Sequence, residues 1–574
     1  MKASYIEIRK FRSIDFCKIP LDSINAVVGQ NNSGKSAVIR ALNCFFNVFE
    51  EELSFSQGKH NYSPSSIPKI TVGFENIDED SAAWRHTDNG RADIQLVFHP
   101  SSKKLQYKKK VGGKFVNISI GDVGDILENF AFVYIPPNRS PSQLKWQEDA
   151  LIKELVEEFL KIETSRRDTL TPRFKGASDY LESGALKKIS REVGRFYSLR
   201  KELDFSLSFD KKANFLSFLT DIHMYVNEYG VESTLDDCGT GLQSLTIIAF
   251  HRVLAKIRHK RVILGIEEPE TNLHPQAQRE LINSIKNAPD DNVAQVVITT
   301  HSTVIIDNID HRKICLVRKT EDRVRGFKSI VAKTSESFFD DHGLEEFKYY
   351  QFHSYKNSDF FYANYVVFVE SKNEAEVVKH LSLRNGVDLD LQGVSVVNIG
   401  GVNNLAYPYH IVKDLGIPFL IILDKDFFIP YLNDDLQQSR NNEGLPKYRY
   451  EYKAKSIRIL ESIIPAQKDR DKILSTMRVN HSKANEEFLK HNVICMNYSL
   501  EMDLLCSNKA VELYSDVLGL RGEQRSRGFL LTNRNNTVKK IGNILKVLDQ
   551  LENRNLPNSY KSIKRKLGEI SSFS

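Results

Sequence analysis

Two groups of residues in this chain have the types and spacing to do phosphate chemistry. The first is Gly29-Gln30-Asn31-Asn32-Ser33-Gly34-Lys35-Ser36, a complete GxxxxGK[ST] loop. Successive backbone N–H groups, unhindered at Gly29 and Gly34, can point at one anion. Lys35 brings a charge to the β- and γ-phosphates, and the Ser36 hydroxyl a ligand for magnesium. Gly29, Asn32, Gly34, Lys35 and Ser36 are therefore the ATP-binding candidates of the loop. The matching acids follow the apolar run Val262–Ile266. Glu267 would hold the magnesium or its water, and Glu268 would polarise the attacking water as a general base.

The second group lies far downstream. Glu370 ends the apolar run Val366–Val369, Glu374 falls one helical turn later, and Asp424-Lys425-Asp426 ends the run Phe419–Leu423. Ile399-Gly400-Gly401 gives backbone room between them. Residues four apart on a helix can face one ion, and residues two apart at a strand end point the same way. The carboxyl ends of a parallel sheet are where ligands collect. Four carboxylates in one crevice repel one another unless cations bind. Hard cations with all-oxygen shells, magnesium or manganese, suit them. Two such ions can activate a water and stabilise the leaving oxygen in phosphodiester hydrolysis. The competing reading is an inactive scaffold that kept its acids.

Both groups need strand ends to position them. Tyr5–Ile8 and Ile24–Val28 read as strands, and the second feeds the glycine loop before a helix over Ser36–Phe46, the context a phosphate loop requires. Short alternating runs between Lys69 and Val133 suggest an antiparallel β-layer, stopped at Pro136-Pro137. From about 140 to 235 helical spacing dominates, which predicts a largely helical insertion that buries an apolar face, plausibly a dimer contact. Arg261–Ile266 and Val293–Thr299 are near-continuous apolar strands, as in a parallel sheet buried on both faces. Polar and aromatic residues 338–352 form the junction, so the expected domains are 1–345 and 346–574. Strand and helix then alternate as β-α-β-α-β over Tyr365–Leu423, a second α/β domain.

Glu267-Glu268-Pro269-Glu270, Asn272-Leu273-His274-Pro275, Ile298-Thr299-Thr300-His301-Ser302 and Lys10-Phe11-Arg12-Ser13-Ile14 resemble the ABC-type ATPase head of the RecF/SMC/OLD group. The resemblance implies that His301 senses the γ-phosphate from its own subunit. It also makes Cys238-Gly239-Thr240-Gly241-Leu242-Gln243-Ser244 the signature loop. Gly239, Gly241 and Gln243 would close over ATP bound to a second copy, so a homodimer or higher homo-oligomer is expected. Taken alone, that stretch also reads as a plain loop-to-helix turn.

Glu370, Gly400-Gly401 and Asp424-x-Asp426 are similar to a Toprim domain. An ABC-type head followed by Toprim resembles the OLD (overcoming lysogenisation defect) family over most of the chain. The Glu370-x-x-x-Glu374 spacing is similar to that family's nucleases. The resemblance implies Glu501, in Ser499-Leu500-Glu501-Met502-Asp503-Leu504, as a further metal ligand and Lys540 as the catalytic lysine, with Lys539, Lys564 and Lys566 competing. Ser371 departs from the pattern, standing where Toprim usually has Gly. The function implied is an ATP-regulated, metal-dependent endonuclease acting on double-stranded DNA, with ATP and magnesium or manganese as cofactors, two ions per nuclease site and one per ATP site. The role implied is anti-phage defence, as in Gabija-type or retron-linked systems, with a companion subunit in some of them. The alternative is a non-cutting ATP-dependent repair clamp of the RecF/SMC type, although a gripping module needs no Glu374 or Glu501. No tyrosine motif supports a topoisomerase, and no template-binding module a primase.

The bulk properties fit. At 574 residues more than one core is needed. Charge is nearly balanced, 80 Lys+Arg against 74 Asp+Glu, so DNA must meet local patches and not a global field. Residues 521–574 hold 12 Lys/Arg against 4 Asp/Glu, which is either a solvated helical face or a nucleic-acid contact. The six scattered cysteines argue against a zinc knuckle or disulfide framework and for the reducing cytoplasm. No apolar stretch approaches membrane-spanning length.

Overall fold

Alternation sets the first strand: Ile6 and Ile8 are fully buried while Glu7 and Arg9 between and beyond them are not. The computed structural model describes residues 2–139, 151–152, 155, 180–197, 203–209, 222–257, 261–286, 293–346, 358–401, 404–433 and 435–570. Two units divide at Thr334 and Ser335.

The first unit carries β1 (Lys2–Phe11), β2 (Ile14–Pro20), β3 (Ile24–Val28), β4 (Lys69–Glu75), β5 (Ala92–His99), β6 (Lys104–Val111), β7 (Lys114–Asn117) and β8 (Phe130–Ile135). It continues with β9 (Leu203–Phe209), β10 (Ile222–Glu228), β11 (Val231–Thr234), β12 (Arg261–Glu267), β13 (Val293–Thr299), β14 (Ile314–Asp322) and β15 (Gly326–Lys333). Twelve of these form one mixed sheet in the order β7-β6-β5-β4-β1-β2-β15-β14-β3-β13-β12-β8. Strands β14, β3, β13, β12 and β8 are mutually parallel, and β2, β1, β4, β5, β6 and β7 form the antiparallel layer. This is the mixed sheet with a phosphate loop and an antiparallel β-layer expected of the ATPase head. The helix Lys35–Phe46 lays Ala37, Val38, Ala41, Leu42 and Phe45 on the sheet. Phe45 packs with Phe46, Phe74 and Tyr107, so Phe45→Ala would cost about 3–5 kcal/mol.

Much of the expected insertion lies outside the described residues. Its described part holds the helix Lys187–Phe196 and a three-stranded antiparallel sheet, β11-β10-β9. The strands depart from the helical expectation. Leu203-Asp204-Phe205-Ser206-Leu207-Ser208-Phe209 alternates with period two, and Phe205 and Leu207 are buried. They pack with Ile189 and Val193 against Phe250 and Val253 of the helix Thr240–Ile257.

The second unit holds a parallel sheet in the order β17-β16-β18-β19, from β16 (Tyr365–Val369), β17 (Val394–Asn398), β18 (Phe419–Leu423) and β19 (Val493–Cys495). Helices Lys372–Leu383 and Ala406–Asp414 make the crossovers. The basic C-terminal segment forms amphipathic helices. Ile544, Val547 and Leu548 of Ile541–Gln550, and Ile563 and Leu567 of Asn558–Ile570, share a core with Val377 and Leu381. No described helix is long and apolar enough to cross a membrane.

Candidate functional site

In the first unit the glycine loop leaves β3 and must pass close to two neighbouring strands. Gly29 has φ 142° and a Cβ there would lie 2.1 Å from the Val317 carbonyl of β14; Gly34 has φ 103° and its Cβ would lie 2.3 Å from Ser329 Oγ of β15. Only glycine fits either position. Asn32 also takes the left-handed region, at φ 61°. Lys35 is buried and donates from Nζ to the carbonyls of Gly29 (3.1 Å) and Gln30 (2.9 Å). Burial lowers its ammonium to about 8, against the pull of Glu268, Glu270 and Glu267. Ser36 is the second residue of the helix that follows the loop.

Those acids sit at the end of β12. Glu267 is buried, with Oε1 lacking a hydrogen-bond partner, and burial raises its carboxyl against the help of Arg40 and Tyr134. Glu268 takes φ 45°, its N–H donates to the Thr299 carbonyl (2.8 Å), and its Oε1 is 3.8 Å from His301 Nε2. Burial, then the Lys35 charge, lowers the His301 imidazole, which favours the neutral ring. The loop, both glutamates and His301 thus form one electrostatic neighbourhood. In the signature stretch, Gln243 Nε2 donates to the carbonyls of Leu235 (3.2 Å), Asp236 (3.2 Å) and Cys238 (2.9 Å), which closes the turn. Gly241 abuts the Asn272 carbonyl, 2.8 Å from where a Cβ would stand, and Gly239 has open space.

In the second unit β16 delivers Glu370, and the following helix delivers Glu374. Glu374 Oε2 accepts from the N–H groups of Glu370 (2.5 Å) and Ser371 (2.9 Å), so this carboxylate caps its own helix. Ser371 sits at φ −138°, an extended conformation open to any residue. Gly400 (φ 66°) and Gly401 (φ 111°) do need glycine, and the Gly401 N–H donates to the Glu370 carbonyl (3.2 Å). Strand β18 delivers Asp424 at the start of the short helix Lys425–Phe428, with Asp426 in its first turn. Glu501 lies on the helix Leu500–Leu504 after β19.

Three of these acids, Glu370, Glu374 and Asp424, are raised by burial and by the carboxylates around them. Burial, then Asp426, pushes Glu370 up to about 7. Burial, then Glu374, Glu370, Glu501 and Asp426, pushes Asp424 well above its ordinary range. Burial also raises Glu374, and Glu370 and Glu501 add to it. Glu370 Oε2 and Asp424 Oδ1 are buried without a hydrogen-bond partner. Oxygen-only donors carrying excess negative charge fit magnesium or manganese. Triads whose ligand atoms lie within 4.8 Å of one another occur elsewhere among the described residues, at Cys44/Glu51/His60 and His86/Asp122/Asp125. Their carboxylates already pair with Arg40 and Arg85. The five acids of the second unit are not drawn into such a triad among the described residues.

Of the lysines, Lys539 Nζ meets Glu501 Oε1 at 3.0 Å and Lys453 Nζ meets Asp426 Oδ2 at 3.9 Å. Lys540 is exposed at the start of the helix Ile541–Gln550 and makes no ion pair among the described residues. Lys564 bonds Asn553 (2.8 Å) and Lys566 pairs with Glu569 (2.6 Å).

Comparison with known proteins agrees with this geometry. Residues 24–307 match the family described as "AAA domain, putative AbiEii toxin, Type IV TA system", and residues 361–426 match "Overcoming lysogenization defect protein-like, TOPRIM domain". The chain thus carries an ATPase domain followed by an OLD-like TOPRIM domain. It is 24% identical to the OLD nuclease of Thermus scotoductus, over 73% of this chain and 81% of that one. It is also 24% identical to endonuclease GajA of Bacillus cereus, over 74% and 75%. A solved SMC head bound to the C-terminal winged helix of ScpA aligns over 59% of this chain and 99% of its own, at 16% identity and a TM-score of 0.41.

The structure also places beside these sites residues that sequence reasoning passed over. Lys425, between the two aspartates, is the first residue of the helix Lys425–Phe428. It is buried among the rings of Tyr448 (5.1 Å), Tyr450 (5.6 Å) and Tyr498 (5.9 Å). Asp503, two residues after Glu501, is fully buried and accepts from the N–H groups of Asn497 (2.8 Å) and Tyr498 (2.7 Å), which fixes the approach to the Glu501 helix. Glu270 accepts from the His301 N–H (2.6 Å). The sequence signal for Asp503 is a charged residue between the apolar Met502 and Leu504-Leu505.

Proposed function

We propose that this enzyme is an ATP-regulated, divalent-metal-dependent endonuclease that hydrolyses phosphodiester bonds in double-stranded DNA. The observation that carries the reading is the crevice of Glu370, Glu374, Asp424, Asp426 and Glu501, with two carboxylate oxygens buried and unpartnered. Such a cluster costs stability for no structural return unless cations occupy it. Bound magnesium or manganese would supply an activated water and stabilise the leaving oxygen. The carboxylates of Glu370, Asp424, Asp426 and Glu501 would hold the ions, two per site, and Glu374 would hold Glu370 in place through its backbone N–H while offering its second oxygen. Lys539, already beside Glu501, would balance charge on the scissile phosphate; Lys540 follows it in the chain and is the competing candidate.

In the first unit Lys35 and the N–H groups of Gly29–Ser36 would cradle the phosphates, with Ser36 and Glu267 holding one magnesium. Glu268 would orient the attacking water and His301 would meet the γ-phosphate. The exposed Gly239 and the Gly241 turn suit contact with ATP on a second copy, so the ATP-bound form is a homodimer or larger assembly. The role is anti-phage defence, with or without a companion subunit; this rests on likeness to the family, and no residue carries it.

Plasmid DNA incubated with the purified protein, with and without ATP, tests the central reading. Cleavage should require magnesium or manganese, stop in EDTA and vanish in Asp424→Ala while nucleotide binding persists. Cutting in EDTA, or undiminished cutting by Asp424→Ala, would overturn it.

A further inference from the structure

Glu268 is a non-glycine residue held in the left-handed region, at φ 45°, a strained conformation that persists only where its surroundings over-determine it. The surroundings are visible. On one side its N–H donates to the Thr299 carbonyl. On the other, Arg139, just past β8 and Pro136-Pro137, donates from Nη1 to the Glu268 carbonyl (3.3 Å) and from Nη2 to the Glu267 carbonyl. The same Nη1 donates to Ser244 Oγ (3.0 Å), on the helix Thr240–Ile257 that begins at the signature turn. Arg139 is 7% exposed and Ser244 1%. A buried guanidinium is costly unless its donors are used; here both terminal nitrogens are spent on the two peptide groups that flank the general base and on the helix that carries Gly241 and Gln243, while Nε has no partner among the described residues.

We propose that Arg139 is a positioning residue for ATP hydrolysis: it locks the Glu268 backbone in its hydrolytic conformation and makes that lock depend on the placement of the signature helix. Glu268 would be correctly aimed only when the helix holds Ser244 against Arg139. Contact of the signature turn with nucleotide on a second copy would thereby be reported to the carboxylate. This rests on the reading of Glu268 as the general base.

The test is steady-state ATPase and equilibrium nucleotide binding on the full-length protein carrying Arg139→Met, Arg139→Lys, Ser244→Ala, Glu268→Gln and the Arg139→Met/Glu268→Gln pair. Glu268→Gln should lower kcat about 100-fold or more, the scale of a lost general base. Arg139→Met should lower kcat about tenfold or more with ATP affinity within about threefold, since misplacing a catalytic group costs rate and not ground-state binding. Ser244→Ala, a smaller change that keeps the guanidinium, should move kcat the same way, and Arg139→Lys should recover part of it. The double variant should be no slower than Glu268→Gln alone, because two residues acting as one unit do not add. Unchanged kcat in both Arg139→Met and Ser244→Ala, or additive losses in the double variant, would overturn the proposal and leave Glu268 as base. Undiminished turnover in Glu268→Gln, or a wild-type protein that binds ATP without turnover, would end both. Should Arg139→Met fail to fold, the Ser244→Ala and Arg139→Lys results decide.

Discussion

Replacing Glu370 with Gln should make the metal-free protein more stable at alkaline pH while removing its nuclease activity. The Glu370 carboxyl is raised from 4.5 to about 7, by burial first and by Asp426 and Glu501, against Lys453 and Lys539. An acid whose folded-state pKa lies above its unfolded value binds its proton more tightly when folded. Stability therefore falls as pH rises from about 4.5 to about 7 and stays reduced above that. At 1.36 kcal/mol per pH unit the interval is worth about 3 kcal/mol; partial exposure of the side chain to water trims this to about 2–3 kcal/mol. Gln has the same shape and never ionises, so it escapes the penalty. For a domain the size of Ser335–Ser574, 1 kcal/mol moves Tm by about 2–4 °C, so the variant should melt about 4–12 °C above wild type at pH 8 in EDTA. Near pH 5 the two should melt together. Manganese should narrow the gap, because ions that bind the folded wild type stabilise it by mass action. Scanning fluorimetry at the two pH values, with plasmid cleavage alongside, gives the answer. A gap of equal size at both pH values, or none at pH 8, would refute the claim that the crevice holds uncompensated charge.

Glu374 should separate into a cap and a ligand. Glu374→Gln keeps an oxygen for the Glu370 and Ser371 N–H groups, so Tm should hold while cleavage falls; Glu374→Ala should lose cleavage and about 1 kcal/mol of helix capping as well. An active Glu374→Gln would make the residue a cap alone. Lys539→Ala should lower plasmid cleavage about tenfold or more, as loss of a charge-balancing donor does, with Lys540→Ala nearly silent; the reverse order would reassign the lysine. Lys35→Ala should abolish ATP binding in a fluorescent-nucleotide titration, and unaltered affinity would refute the loop assignment.

What could be read in the sequence was what local periodicity encodes. Val366–Val369 and Phe419–Leu423 announce themselves as buried parallel strands, and the acids at their ends follow from strand and helix spacing. Strand β19, Val493–Cys495, is too short to show a period. Strands β9 to β11 are hidden for a different reason: the serine–apolar alternation of β9 is short and sits beside charged helical stretches. Long-range pairs were not legible at all. Lys539 meets Glu501, and Arg139 meets Ser244 and the end of β12, only because separate helices and strands pack together, and no spacing rule reaches that far. The choice between Lys539 and Lys540 turned on which face of one short segment looks inward.

The two units solve opposite electrostatic problems by the same means. The second unit gathers carboxylates until their protons are held far too tightly for an exposed acid, so that a divalent cation is the natural counter-charge. The first buries Lys35 until its ammonium drops to about 8, with its donors turned on the loop's own carbonyls. A phosphate would relieve that cost as a cation relieves the other. Each cost is a folding free energy that ligand binding returns, so occupancy should be read out as stability in both units. The motifs visible in the sequence coincide with these strained charges, as expected where a ligand would complete groups that otherwise violate the rules of burial.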